Sequence, residues 1–145
     1  MAARKAALPV ATESVEQQCL FRWAAVSAAA HPELRLMFHI PNGGSRSRAE
    51  AGRFKAEGVK AGVPDICLPV PRGGYHGLFI ELKRTQGGEV SPEQTAWLDA
   101  LRAQGYRAEV CKGWEPAVRV IEEYLKQKEE PVHEKQDGRP EQPPV

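Results

Sequence analysis

The chain has 145 residues, of which 41% are apolar, and this is enough for one domain with a hydrophobic core. No apolar run approaches the ~20 residues that a membrane-spanning helix needs, so we expect no membrane association through such a helix. The net charge of +1 means that any affinity for a polyanion must come from local clusters rather than from bulk charge.

The sequence predicts elements in the order α-β-α-β-β-α-β-α, over about residues 14–30, 36–40, 45–57, 65–70, 78–83, 91–104, 106–111 and 115–126. Ser14 is expected to cap the first helix, with Gln17 at the capping-box position three residues later. Ser91 and Gln94 have the same relationship at the start of the third helix. Either Ser45 or a serine two residues later caps the second helix.

The two central strands carry the most informative residues. Turn-forming residues 71–77 join them, which predicts a hairpin whose open end brings Asp65 close to Glu81 and Lys83. Because side chains i and i+2 of a strand point the same way, Glu81 and Lys83 share a face. Two carboxylates and an ammonium group beside an apolar sheet are typical of a metal-dependent phosphodiesterase. Oxygen ligands favour Mg²⁺ or Mn²⁺ over zinc.

Ordinary structural roles compete with this interpretation. Asp65 follows Pro64, and this pair is common in turns. Glu81 and Lys83 could form a solvated strand face. Against this, residues 78–80 are apolar on both faces of the strand, which indicates a covered central strand where charges need partners or a metal ion.

Two further polar residues are ambiguous. Gln94 is explained fully by its capping box, yet it could also support the site. Glu16 could simply interact with the dipole of its own helix. However, it falls on the apolar stripe of that helix, where a carboxylate is unusual. The predicted stripe consists of Cys19, Leu20, Trp23, Val26 and Ala30.

Basic residues are concentrated between positions 42 and 84, where eight Lys or Arg residues stand against four Asp or Glu residues. One interpretation is an ordinary solvated helix face. The other is a surface that grips DNA phosphates, helped by the capped N-terminus of the second helix. The candidate DNA-binding residues are Arg46, Arg48, Arg53, Lys55, Lys60 and Arg72.

The two ends of the chain differ in composition from its middle. Residues 1–12 predict a flexible N-terminal segment without the apolar region of a secretory signal. Residues 13–127 predict the folded domain. Residues 128–145 are rich in proline and acidic residues and predict a disordered tail. Three cysteines without metal-ligand spacing favour a reducing compartment, so we expect a cytoplasmic protein.

Four sequence blocks in order and spacing resemble the VRR-NUC (virus-type replication-repair nuclease) family. The blocks are IPNGG at 40–44, EGVKAGVPD at 57–65, FIELK at 79–83 and SPEQ at 91–94. An aspartate at one core strand with Glu-x-Lys at the next is similar to the wider PD-(D/E)xK nuclease superfamily. The likeness covers about residues 13–127 and is greatest to small stand-alone members from phages and bacteria.

The resemblance implies an α/β fold with a restriction-endonuclease-like core, in which helices flank a mixed β-sheet. It also implies a DNA nuclease that depends on Mg²⁺ or Mn²⁺. Asp65 and Glu81 would be metal ligands together with the backbone carbonyl of Leu82. Glu16 matches an N-terminal acidic position that contributes to metal binding directly or through water.

The resemblance assigns the remaining site residues as well. Lys83 would orient or activate the attacking water, and Gln94 would support the site from the helix start. Stand-alone members resemble Holliday-junction resolvases in forming homodimers that act on branched DNA, which implies a role in phage or bacterial DNA repair. The alternatives are a flap or nick endonuclease and a non-catalytic DNA-binding module. The presence of Asp65, Glu81 and Lys83 together disfavours the module.

Overall fold

Helices cover both faces of one sheet in the computed structural model, which describes residues 8–41 and 47–129. The α-helices within these ranges are α1 (Glu13–Ser27), α2 (Arg48–Ala56), α3 (Pro92–Ala103) and α4 (Trp114–Lys126). The strands are β1 (Phe38–His39), β2 (Ile66–Leu68), β3 (Leu78–Lys83) and β4 (Arg107–Lys112), and a 3-10 helix spans Pro32–Leu36. None of the helices in the described ranges has the length and apolar character needed to cross a bilayer.

The sheet is mixed, with the strand order β1-β2-β3-β4. β2 pairs antiparallel with both β1 and β3, whereas β3 and β4 run parallel. The β2–β3 pair is the predicted hairpin, and its register sets Ile66 opposite Ile80. A mixed sheet flanked by helices confirms the predicted α/β fold class.

The two faces of β3 differ in chemical character. Leu78, Ile80 and Leu82 are buried in the core cluster with Leu20 of α1 and Ile121 of α4. Because side chains alternate along a strand, Phe79, Glu81 and Lys83 lie on the opposite face, which α3 approaches. The charged residues of β3 therefore lie on the side of the sheet that faces α3, whereas the other side of β3 is fully apolar.

The start of α1 differs from the prediction. Thr12, and not Ser14, is the N-cap, and its Oγ1 accepts a hydrogen bond from the Val15 amide at 3.2 Å. Ser14 lies inside the first turn, where its Oγ accepts from the Gln18 side chain at 3.3 Å. Both hydroxyl residues suit the cap position, so local sequence did not decide between them.

The buried stripe of α1 is also narrower than predicted. Glu16, Leu20 and Ala24 follow an i, i+4 line and are buried, whereas Val26 is 79% exposed. Ala30 is exposed as well and lies beyond the end of α1, so the assignment of Val26 and Ala30 to the inner face was wrong. α1 ends at Ser27, and the chain turns into the 3-10 helix before it reaches β1.

The later elements follow the prediction closely. Ser91 is the N-cap of α3 and completes the predicted capping box, and α4 begins at Trp114, one residue earlier than expected. Gly105 has a φ of +90°, a conformation that side chains other than glycine rarely adopt, and it ends α3 as predicted. The first two strands are shorter than predicted, since Leu36 belongs to the 3-10 helix and the β2 ladder ends at Leu68.

Candidate active site

Asp65 is fixed at the entrance to β2 by contacts at both its backbone and its side chain. Its carboxylate Oδ2 accepts a hydrogen bond from the Leu82 amide at 2.9 Å. Its carbonyl oxygen accepts from the Ile40 amide at 2.7 Å. The hairpin thus brings Asp65 to the end of β3, as the sequence predicted.

Glu81 is a buried carboxylate whose two oxygens have different surroundings. It is 1% exposed, and its Oε1 accepts from Gln94 Nε2 at 2.7 Å and lies 3.2 Å from Lys83 Nζ. Its Oε2 is buried and has no hydrogen-bond partner. Burial raises the pKa of Glu81 to about 7, with the nearby charge of Asp65 adding to this effect and Lys83 opposing it. One oxygen of a buried acid therefore remains available beside a second carboxylate.

Gln94 makes both sets of contacts that the sequence left open, those of a capping box and a hydrogen bond to Glu81. Its side-chain Oε1 accepts from the Ser91 amide at 2.9 Å, and Ser91 Oγ accepts from the Gln94 amide at 3.2 Å. The nitrogen of the same side-chain amide, Nε2, donates to Glu81 Oε1. The capping box therefore holds the amide in place while its free end reaches the buried acid.

Lys83 lies against Glu81 and is shielded from solvent. Its side chain is only 8% exposed, and its Nζ forms an ion pair with Glu81 Oε1 at 3.2 Å. The loop after β3 covers its aliphatic stem, since a Cβ added at Gly88 would lie 3.1 Å from the Lys83 Cβ. The ammonium group is thus held in one place next to the Glu81 carboxylate.

Gly62 is a residue whose role the sequence analysis missed. It has a φ of +87°, and a Cβ there would lie 2.6 Å from the carbonyl carbon of Glu93. Only glycine lets the segment that leads to Asp65 approach the first turn of α3 so closely. This contact places the segment before Asp65 against the turn of α3 that carries Gln94. The glycine three residues before the aspartate was the available signal.

Glu16 is buried and serves a different helix from the one that carries it. Its Oε2 accepts from the Trp114 amide at 2.8 Å, at the start of α4, where Gly113 supplies no side-chain cap. Within residues 8–41 and 47–129, no three His, Cys, Asp or Glu side chains form a group that could hold a metal ion. The structure therefore shows Glu16 as a cap for α4, and its role in metal binding stays a prediction.

The basic residues predicted to bind DNA fall into two groups. Arg48, Arg53 and Lys55 lie on α2, which buries none of its residues, and Lys60 is exposed just beyond it. Arg53 lies 3.9 Å from Glu57 and 5.2 Å from the centre of the Phe54 ring, and its side chain is still 63% exposed. These side chains are open to solvent, as a phosphate-binding surface requires. Arg46 lies outside the described residues.

Arg72 does not fit the predicted DNA surface. It is 7% exposed, and its Nη2 lies 3.1 Å from carboxylate oxygens of both Glu33 and Glu129. Its Nη1 donates to the Pro71 carbonyl at 2.8 Å. The guanidinium group ties the hairpin turn to the 3-10 helix and to the segment after α4. The structure therefore favours a structural role for Arg72 over a phosphate contact.

Comparison with known proteins agrees with this arrangement. Residues 8–115 match the family model of the VRR-NUC domain. A solved structure described as a VRR_NUC domain protein is 34% identical in sequence, with a TM-score of 0.71, and the similarity covers 83% of this chain and 93% of that one. Among curated proteins, none matches the chain. The chain therefore belongs to the VRR-NUC domain family, a family of nucleases.

Proposed function

We propose that this protein is an Mg²⁺- or Mn²⁺-dependent endonuclease that hydrolyses phosphodiester bonds in branched DNA, in the manner of a Holliday-junction resolvase. The observation that carries the proposal is the Glu81 carboxylate, buried beside Asp65 with Oε2 left without a hydrogen bond. A buried carboxylate oxygen without a partner is costly unless a proton or a cation neutralises it. The proposal supplies that cation.

The donor groups around Glu81 suit a hard divalent cation. Two carboxylates meet there, and hard cations prefer oxygen ligands. The Leu82 amide points toward Asp65. In an extended strand the N–H and C=O of one residue point to the same edge, so the Leu82 carbonyl is directed to the same side. A cation bound by these groups would stabilise negative charge on phosphate and lower the pKa of water.

The chain's own residues prepare this site for an anionic substrate. The Lys83 ammonium group supplies a fixed positive charge where negative charge develops during phosphodiester hydrolysis. Because the ammonium group is paired with Glu81, charge stabilisation fits it better than proton abstraction, which needs a neutral amine. Gln94 holds Glu81 through Oε1, and the Leu82 amide holds Asp65.

The preference for branched DNA rests on family likeness and on symmetry. A four-way junction is two-fold symmetric, and a homodimer places two copies of one active site in symmetry-related positions. The exposed side chains of α2 offer a positively charged surface for the phosphates of such a substrate. A flap or nick endonuclease would use the same active site without needing paired cuts.

Cleavage assays on matched DNA substrates test the proposal. We expect the protein to cut a labelled four-way junction with Mg²⁺ or Mn²⁺ and to be inactive with EDTA. Glu81→Gln should abolish cleavage, whereas the matched control Glu115→Gln, at an exposed position of α4, should retain it. Cleavage in EDTA, or near-normal turnover by Glu81→Gln, would overturn the proposal. Preferred cutting of a flap or nicked duplex would replace the resolvase with the alternative endonuclease.

A further inference from the structure

His39 contacts the backbone of Asp65 from the edge of the sheet. Its ring Nδ1 lies 2.8 Å from the Asp65 carbonyl oxygen. Because a carbonyl oxygen only accepts hydrogen bonds, Nδ1 must carry the hydrogen, and in the neutral ring Nε2 then carries none. The ring is exposed, so its contact with Asp65 does not come from packing in the core.

This contact acts where the sheet gives Asp65 little other support. Asp65 precedes β2, and β1 is only two residues long, with His39 opposite Ile66. Ladder hydrogen bonds therefore end close to Asp65. The Ile40 amide and the His39 ring both donate to its carbonyl oxygen, and together they define the position of its backbone.

We infer that His39 is a positioning residue, which orients the carboxylate of Asp65 by holding its carbonyl group. The inference rests on the proposed function, since it takes Asp65 to be a metal ligand. The Asp65 side chain is held by the Leu82 amide, so a shift of the Asp65 backbone would change the direction of the carboxylate. Groups that orient metal ligands typically contribute about tenfold or more to metal affinity or activity.

Two substitutions separate the roles of the two ring nitrogens. The amide nitrogen of asparagine is two bonds from Cβ, as Nδ1 is, whereas that of glutamine is three bonds from Cβ, as Nε2 is. His39→Asn therefore keeps a donor near the Asp65 carbonyl, and His39→Gln removes it. His76→Gln is a matched control, because His76 is an exposed histidine in the turn at the closed end of the same hairpin.

Calorimetric titration of each protein with Mn²⁺, without DNA, gives a measurement that does not depend on cleavage. We expect His39→Gln to weaken Mn²⁺ binding about tenfold. His39→Asn and His76→Gln should stay within about threefold of the native protein. The Mg²⁺ concentration for half-maximal cleavage should rise only in His39→Gln, with the KM for DNA unchanged. Long-range ¹H–¹⁵N NMR should show the hydrogen of His39 on Nδ1.

The possible outcomes are distinct. Equal Mn²⁺ affinity in His39→Gln and the native protein would overturn the inference and leave the proposed function intact. Equal losses in His39→Gln and His39→Asn would mean that the imidazole itself is needed, which also overturns positioning through Nδ1. If the native protein neither binds Mn²⁺ nor cuts DNA, the proposed function fails, and the inference fails with it. Circular dichroism melting shows whether any loss is due to unfolding instead of the missing donor, and rescue in folded His39→Asn decides for the inference.

Discussion

Replacing Glu81 by glutamine should stabilise the metal-free protein at alkaline pH while it abolishes cleavage. Burial and the charge of Asp65 raise the pKa of Glu81 from 4.5 to about 7, so the folded protein holds its charged form at a cost. Glutamine has nearly the same shape and carries no charge. It can still accept hydrogen bonds from Gln94 and Lys83, and its amide can donate to Asp65.

The size and sign of this effect follow from the pKa values. A rise from 4.5 to about 7 corresponds to about 3 kcal/mol, since each pKa unit is worth about 1.36 kcal/mol. Between these two values the folded state binds more protons than the unfolded state, so the free energy of unfolding falls as pH rises. The favourable contribution of Glu81 is complete below pH 4.5 and is lost once the pH exceeds about 7.

Urea denaturation in EDTA measures the prediction directly. At pH 8, Glu81→Gln should be more stable than the native protein by up to about 3 kcal/mol. At pH 4.5 the difference should be close to zero, because the native carboxyl group is then mostly neutral. The exposed control Glu115→Gln should show no such pH dependence. An equal difference at both pH values, or a less stable Glu81→Gln at pH 8, would refute the argument that a buried charge is held at a cost.

Three other expectations follow from the site and its surroundings. Lys83→Ala should reduce cleavage by about 10²- to 10³-fold; it should bind Mn²⁺ in calorimetry, and loss of that binding in folded protein would contradict the assigned role. Replacing Arg48 and Arg53 with alanine should weaken DNA binding for every sequence and reduce the log–log salt slope by about one for each phosphate that is no longer neutralised; an unchanged slope would mean that these arginines only solvate α2. Light scattering should give about twice the 16.0 kDa chain mass, with paired nicks on a junction; a stable monomer that makes uncoupled single nicks would favour the flap or nick endonuclease.

The central hairpin could be predicted because its geometry is local. Turn-forming residues fix which strand ends meet, and the two-residue period of a strand fixes which side chains share a face. These two rules are enough to bring Asp65 to the end of β3 and to set Glu81 and Lys83 side by side. The observed bond from the Leu82 amide to Asp65 is a direct consequence of that register.

The environment of Arg72 could not be predicted because its partners are distant in sequence. The charge balance between positions 42 and 84 indicated a basic region, but it did not show whether Arg72 is exposed. Glu33 lies 39 residues earlier, in the 3-10 helix, and Glu129 lies beyond the end of α4. Only the packing of these segments shows that the guanidinium group is buried and paired. The same limit applies to Glu16, whose partner Trp114 is 98 residues away.

Gln94 shows why a local structural role does not argue against a role in the active site. The bond from its Oε1 to the Ser91 amide uses one end of the side-chain amide and restricts the direction of the other. Nε2 then points at Glu81 without the entropic cost of ordering a free side chain at the site. Gly62 brings the chain before Asp65 onto the same turn of α3, so one capped helix start sets the relative positions of both acids. The capping box is therefore part of what holds Glu81 in its observed position.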